Sequence, residues 1–420
     1  MPEGLARRLG TTDAVVVGLS AMIGAGVFAV FAPAAAVAGD WLLVSLALAA
    51  AVAYCNATSS ARLAAVHPES GGAYVYGRRR LGPLWGYLAG WGFTVGKTAS
   101  CAAMALTFGA YVLPGLERPL AVGAVAALTL LNLFGVQRSA GVARIIVVFV
   151  LAVLLAVIVA GLVGDDSVTF GWFSYSPLPY DPYAPDIWGI LQAGGLLFFA
   201  FAGYARIATL GEEVRDPART IPRAIRIALG ITLVVYLLVA VAALRTLGPV
   251  LLATRPAPLS ELVREAGFGW LAPVVVAGAA VATLGALLAL LLGVSRTVLA
   301  MARERDLPGA LAAVDPVRQT PRRAELAVGG AVIVLLLVAD LREAIGFSSF
   351  GVLAYYAIAN AAALRLHRDE GAPPRAVPVT GLALCVVLAA TLPVTSVVAG
   401  LAVFAIGLTI YAVRRRRADR

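Results

Sequence analysis

Apolar residues fall in long blocks, separated by short polar stretches rich in Arg, Pro and Gly. Blocks of about 18 residues or more predict membrane-crossing helices rather than the strands or amphipathic helices of a soluble fold. Twelve are read along the chain: 13–37, 41–65, 83–112, 119–137, 142–164, 187–211, 224–247, 270–302, 324–340, 343–366, 376–393 and 395–413. The last two are short and meet at Pro393, so they are either two short spans or a hairpin. The pattern predicts an all-α integral membrane protein without a separate soluble domain.

Two blocks carry an interruption. The first reads Gly18-Leu-Ser-Ala-Met-Ile-Gly-Ala-Gly-Val-Phe28, with Gly24-Ala25-Gly26 near mid-depth. Two glycines around a small residue make a helix easy to unwind. Unwinding exposes backbone groups that hydrocarbon does not tolerate, so such a break needs a polar cavity or surrounding protein. The half-helix that follows would point N–H groups at the cavity, an arrangement that favours a carboxylate. On this stretch alone a Gly-rich packing seam is an equal reading. The sixth block carries Ala202-Gly203 at a matching depth, within Phe198-Phe-Ala-Phe-Ala-Gly-Tyr204. Five blocks separate the two starts, and five is odd, so the second half is inverted relative to the first. Interrupted helices at corresponding places in inverted halves point to a central transport site.

The chain has 420 residues, 61% hydrophobic and 13% charged, with a formal net charge of +10. That charge is a matter of topology. With the N-terminus and its Arg7 and Arg8 placed in the cytoplasm, that side gathers Arg78, Arg79, Arg80, Arg138, Arg215, Arg219, Arg223, Arg303, Arg305, Arg318, Arg322, Arg323, Arg368 and Arg375. The tail adds Arg414 to Arg417 and Arg420. The other side holds Arg118, Arg245, Arg255, Arg264 and Arg342, and its loop 165–186 has Asp165, Asp166, Asp181 and Asp186 with no base. The asymmetry predicts both termini in the cytoplasm of a multi-pass protein in the cell membrane. Basic residues of this kind face an anionic leaflet, and no nucleic-acid partner is expected. Cys55, Cys101 and Cys385 have no paired spacing and His67 and His367 stand alone, so neither a disulfide framework nor a metal site is expected. The first block is too long for a signal peptide, and none is expected.

Four stretches resemble the amino acid–polyamine–organocation (APC) superfamily of permeases. Ala21-Met-Ile-Gly-Ala-Gly-Val-Phe28 is similar to its first-helix motif, and Pro68-Glu-Ser-Gly-Gly-Ala-Tyr-Val-Tyr76 to the loop between its second and third helices. Glu212-Glu-Val-Arg-Asp-Pro-Ala-Arg-Thr-Ile-Pro222 is similar to the loop after the sixth helix. Gly293-Val-Ser-Arg-Thr-Val-Leu-Ala-Met-Ala-Arg303, followed by Asp306-Leu-Pro308, is similar to the inner end of the eighth. The resemblance implies a LeuT-like five-plus-five inverted repeat in one domain over 1–420. Residues 13–164 and 187–366 are then the two repeats, and 376–413 two added helices. It also implies alternating-access uptake of an amino acid or related amine, driven by a proton gradient or run as exchange, with no bound cofactor.

The resemblance assigns the substrate carboxylate to backbone at Ile23, Gly24, Ala25 and Gly26, and the substrate ammonium to backbone at Phe201, Ala202 and Gly203. Phe199 falls where arginine-exchanging relatives keep a gating aromatic, although a Phe in an apolar helix is also ordinary core. Lys97, the sole lysine, lies about 21 Å into the third block, too deep to reach an interface easily. A charge at that depth is usually functional. Lys97 is either a titrating, proton-coupling group or a fixed counter-charge. Cationic-amino-acid relatives place a lysine on the fifth helix instead, where this chain has Val150.

Arg206 either faces the cavity or pairs with Glu212 or Glu213. Arg296 is either an inner-gate partner or a positive-inside anchor. Ser348, Ser349 and Thr283 are either cavity-lining hydroxyls or helix–helix glue. The expected function is proton-coupled secondary transport of a neutral or acidic amino acid or related small amine-carboxylate by alternating access, with exchange as the alternative and a non-transporting amino-acid sensor as a further class. An enzyme is not expected, because no paired carboxylates or metal ligands fall within the spans.

Overall fold

In the computed structural model, residues 9–69, 71–134, 140–164, 187–210, 213–315, 318 and 320–418 are described. Arg7, Arg8, Ser70, Arg138, loop 165–186, Glu212 and Arg420 lie outside the described residues. Among the described residues the regular structure is helical, apart from one parallel bridge between Leu9 and Val214. The first half comprises α1 (Thr11–Met22), α2 (Gly26–Ala29), α3 (Phe31–Ala38), α4 (Leu42–Val66), α5 (Ala73–Arg80), α6 (Pro83–Val112), α7 (Glu117–Leu133) and α8 (Ala140–Val163). The second comprises α9 (Ile187–Phe201), α10 (Ala205–Ala208), α11 (Pro217–Thr254), α12 (Pro258–Glu265), α13 (Ala272–Arg303), α14 (Arg322–Val338) and α15 (Leu341–Ala363), followed by α16 (Ala376–Thr391) and α17 (Val394–Ala418).

Among the described residues, eight helices are by length and composition apolar enough to cross a membrane: Thr11–Ala29, Phe31–Val66, Gly141–Val163, Ile187–Ala208, Pro217–Thr254, Gly269–Arg303, Leu341–Ala363 and Val394–Arg415. The other expected spans differ for identifiable reasons. Helices α7 and α14 have 17 residues each and α16 has 16. At 1.5 Å per residue these reach about 24–26 Å, short of a hydrocarbon core of about 30 Å. Helix α6 is 30 residues long, but Gly, Thr, Ser and Lys97 dilute its apolar character. Two further helices fall where only loops were expected: α5 between α4 and α6, and α12 after the kink at Gly248, whose φ of 66° breaks α11 just before Pro249.

Helices α6 and α15 pack along a seam of small residues at the centre. A Cβ on Gly351 would lie 2.7 Å from the Gly92 carbonyl oxygen, and one on Gly96 3.0 Å from that of Ser348. Backbones this close require glycine and supply the van der Waals contact that holds helices together in lipid. Both described chain ends lie on one face. Leu9 exchanges backbone hydrogen bonds with Glu213 and Arg215, Asp13 pairs with Arg144 at 2.8 Å, and Arg414 donates to the Arg305 carbonyl at 3.0 Å. On the same face Arg78 pairs with Asp306, and Arg80 with Glu370. These contacts tie neighbouring elements together on the N-terminal face.

Candidate functional site

Helix α1 ends at Met22 and helix α2 begins at Gly26, so Ile23, Gly24 and Ala25 form the expected break. The N–H groups of Gly24, Ala25, Gly26 and Val27 make no backbone hydrogen bond, as the start of a half-helix dictates. They are donors suited to a carboxylate. The break in the sixth block is milder. Between α9 and α10 the chain tightens into a 3₁₀ turn, Ala202–Tyr204, rather than unwinding.

The two breaks cross in direct backbone contact. A Cβ on Gly203 would lie 2.5 Å from the Ala21 carbonyl carbon and oxygen and 2.6 Å from the Met22 nitrogen. A Cβ on Gly26 would lie 2.8 Å from the Ala200 Cα. These glycines are dictated by the crossing, so the seam and the break are the same feature.

Lys97 reaches this crossing from α6. Its Nζ lies 3.4 Å from the Ala202 carbonyl oxygen, and the residue is buried at 7% exposure. The ammonium thus sits on the Ala202–Tyr204 turn, part of the stretch that was expected to meet the substrate amine. Tyr236 of α11 is a site residue that the sequence did not reveal. Its hydroxyl lies 2.5 Å from the Met22 carbonyl and 3.1 Å from the Ala200 carbonyl, and its single proton is shared between the two breaks. Its ring is held against Phe201 at 5.1 Å and Phe31 at 6.4 Å.

The remaining candidates separate. Phe199 is buried beside the crossing. Ser348 is bonded to Ser100 at 2.6 Å across the α6–α15 seam, and Thr283 donates back to the Ala279 carbonyl at 2.7 Å, so both hydroxyls are already engaged. Ser349 is fully buried with no partner. Arg206 and Arg296 are exposed and their charges act on each other, and neither makes an ion pair among the described residues. A void of about 10 Å³ is lined by Leu19, Ile23, Ile146, Val147 and Val150 among others. Its lining is mostly apolar, and it is about the smallest space that holds a water.

A cavity of about 490 Å³ opens on the face opposite the chain ends. Phe28 and Ala29 are among its lining residues, just beyond the first break, and Arg118, Arg255 and Arg342 stand among the others. Glu117 and Asp340 also line it, but Glu117 accepts from the Gly115 amide and Asp340 caps α15 through the Glu343 amide.

On the N-terminal face, Asp306 accepts from Tyr74 at 2.7 Å and from Arg78. Burial raises the Asp306 carboxyl, and these two donors oppose the rise. Glu370 is pulled down to about 2, first by the Arg80 hydrogen bond and then by the His367 amide. Among the described residues no group of three His, Cys, Asp or Glu gathers as a metal site.

A family model described as amino acid permease matches residues 9–415. An uncharacterized transporter of Mycobacterium tuberculosis is 63% identical over 421 residues, covering 99% of this chain and 93% of the relative. A branched-chain amino acid permease of Bacillus subtilis is 28% identical, covering 99% of this chain and 94% of its own length. A vacuolar cationic amino acid transporter of Arabidopsis thaliana is 30% identical, covering 85% of this chain and 63% of its own length. These relatives are named as transporters and permeases, not enzymes.

Proposed function

This chain belongs to the amino acid permease family, and from that premise we propose that it takes up a neutral or acidic amino acid by alternating access across the cytoplasmic membrane. The full reading has twelve spans, two inverted five-helix halves plus two added helices, and both termini in the cytoplasm. The short helices α7, α14 and α16 then cross where neighbouring helices and thinned lipid accommodate them. The arginine-rich N-terminal face supports the sidedness. The cavity on the opposite face, with ion pairs tying the N-terminal face, supports an outward-open stage of the cycle.

The observation that carries the substrate class is Lys97 at the Ala202 carbonyl. A substrate carboxylate lies between the free N–H groups of the first break and this ammonium. The substrate amine takes the carbonyls of the Ala202–Tyr204 turn that Lys97 leaves open. A second positive charge on the substrate side chain would be repelled strongly at this depth, where the effective dielectric is low. Relatives are named for branched-chain and for cationic substrates, and Lys97 favours the first kind.

Uptake is coupled to protons in this reading, and the sign of the coupling constrains Lys97. If an arriving substrate amine displaced the Lys97 proton outside, the empty carrier would regain a proton inside. Substrate and proton would then move in opposite directions. Lys97 therefore stays charged through the cycle and serves as the counter-charge rather than the proton carrier.

The test uses purified protein in liposomes with labelled leucine, glutamate and arginine. Wild type exchanges leucine or glutamate and not arginine. Lys97→Gln loses at least about tenfold in the carboxylate-dependent affinity, about 1.4 kcal/mol. An unchanged substrate profile and affinity in Lys97→Gln removes Lys97 from the site.

A further inference from the structure

If Lys97 keeps its charge, the proton needs another carrier. Helix α14 runs antiparallel along the end of α7. The Arg318 guanidinium sits 4.8 Å over the Phe134 ring at one end of this contact. Further along, a Cβ on Gly329 would lie 2.6 Å from Thr129 Oγ1. Glu325 is one turn before Gly329, and Asn132 one turn after Thr129, which places both on the facing surfaces at the same level.

This interface holds the least satisfied polar group in the described structure. Glu325 is 2% exposed, yet neither carboxyl oxygen has a hydrogen-bond partner. Asn132 Oδ1 and Thr129 Oγ1 are also buried and unpartnered. A buried carboxylate without a partner is very costly. Glu325 and Asn132 contribute three oxygens that can only accept while the carboxyl is ionised. What is missing is a hydrogen. One proton on Glu325 turns an orphan acceptor into a donor that suits Asn132 Oδ1.

The charged neighbours are few. Among the described residues, helix α13 contributes Arg296, the charged side chain whose field reaches Glu325. Arg296 in turn feels Arg206 of α10, which also feels Glu213. The carboxyl is thus linked, through Arg296, to the half-helix that follows the substrate site.

We propose that Glu325 is the proton-carrying residue of the transport cycle, with Asn132 stabilising its protonated form. Glu325 is neutral while the cavity opens opposite the chain ends. Movement of α10 takes Arg206 away from Arg296, and Arg296 then swings to stabilise the ionised carboxylate. The proton comes from water on one side and returns to water on the other, with no other bond made or broken. This inference rests on the proton-coupled reading above.

The test is built to separate the two. Full-length protein in liposomes is assayed for counterflow of labelled leucine, which needs no gradient, and for uptake under an imposed proton gradient with an internal pH dye. Glu325→Gln, a close mimic of the protonated residue, keeps counterflow within about twofold. It loses at least tenfold, by our order-of-magnitude expectation, of the gradient-driven rate together with the pH signal. Asn132→Leu, which removes the acceptor, shifts the pH of half-maximal uptake downward. Gradient-driven uptake with proton movement surviving in Glu325→Gln overturns the proposal, as does an unshifted pH profile in Asn132→Leu. Loss of counterflow in Glu325→Gln makes the residue structural and overturns it too. A sodium gradient that drives wild type where a proton gradient does not reassigns the cluster to an alkali cation. Wild type that shows counterflow but no response to a proton gradient defeats this proposal and leaves transport standing, whereas wild type without counterflow defeats both.

Discussion

Gly203→Ala tests the backbone crossing with the smallest possible perturbation. The added methyl carbon would sit 2.5 Å from the Ala21 carbonyl and 2.6 Å from the Met22 nitrogen, and ordinary contact begins near 3.4 Å. The two backbones must therefore separate by about 0.9 Å (3.4 less 2.5). Neither contact is with a flexible side chain, so no rotamer change relieves it. Overpacking of this kind typically costs about 1–3 kcal/mol. The separation also pulls the Ala202 carbonyl and the first-break amides out of register, and a shift of about 1 Å at a working site costs up to about 100-fold in rate. The assay pairs thermal unfolding in detergent with initial uptake in liposomes. Gly230→Ala is the control, because nothing lies within 4 Å of a Cβ there. Gly203→Ala is expected to unfold several degrees lower and to lose most uptake, and Gly230→Ala to match wild type. Equal stability and equal uptake in both variants would refute the crossing as described.

Three further outcomes follow from the same geometry. Tyr236→Phe keeps the ring against Phe201 and Phe31 but removes the proton shared by the Met22 and Ala200 carbonyls; leaving a buried acceptor unpaired costs about 1–3 kcal/mol, so a lower unfolding temperature is expected, and an unchanged one contradicts the bridge. The Glu370 carboxyl, held near 2 by Arg80, contributes stability that is fully present above its unfolded pKa of about 4.3 and is lost as pH falls toward 2. Wild type and Glu370→Gln should therefore differ by a constant amount between pH 5 and 8 in unfolding scans, and converge only in acid. Asp13→Asn removes the 2.8 Å pair with Arg144 that ties α1 to α8 on the N-terminal face; labelling of a cysteine introduced at Ser20 by a reagent added from that face should speed up, and an unchanged rate argues that the pair is not part of the closure.

Much of the site was legible because its physics leaves marks in composition. Gly24 is needed against the Ala286 side chain and Gly26 against the Ala200 backbone, and the break falls where those glycines predicted it. Lys97 stood out because a lone charge in an apolar run has few reasons to be there. The sixth-block interruption was legible in position but not in kind, since Ala202-Gly203 permits both an unwound strand and the 3₁₀ turn that forms. Tyr236 left no mark. It lies in a run of Val and Leu, and only the three-dimensional approach of Met22 and Ala200 shows what its hydroxyl does. Glu325 left no mark either, since nothing in Arg322-Arg-Ala-Glu325 signals that its carboxyl is buried without a partner. Ser348 illustrates the converse, a hydroxyl of the right type whose partner across the seam, Ser100, is invisible along the chain.

The proposed transport site stands on bare backbone at the first break gripping a carboxylate beside the Lys97 ammonium. A density map of the protein with bound leucine decides it. The leucine carboxylate is expected within hydrogen-bond distance of the Gly24–Val27 amides, with Lys97 Nζ beside it. A map with the amino acid bound elsewhere, and those amides unoccupied, would contradict it.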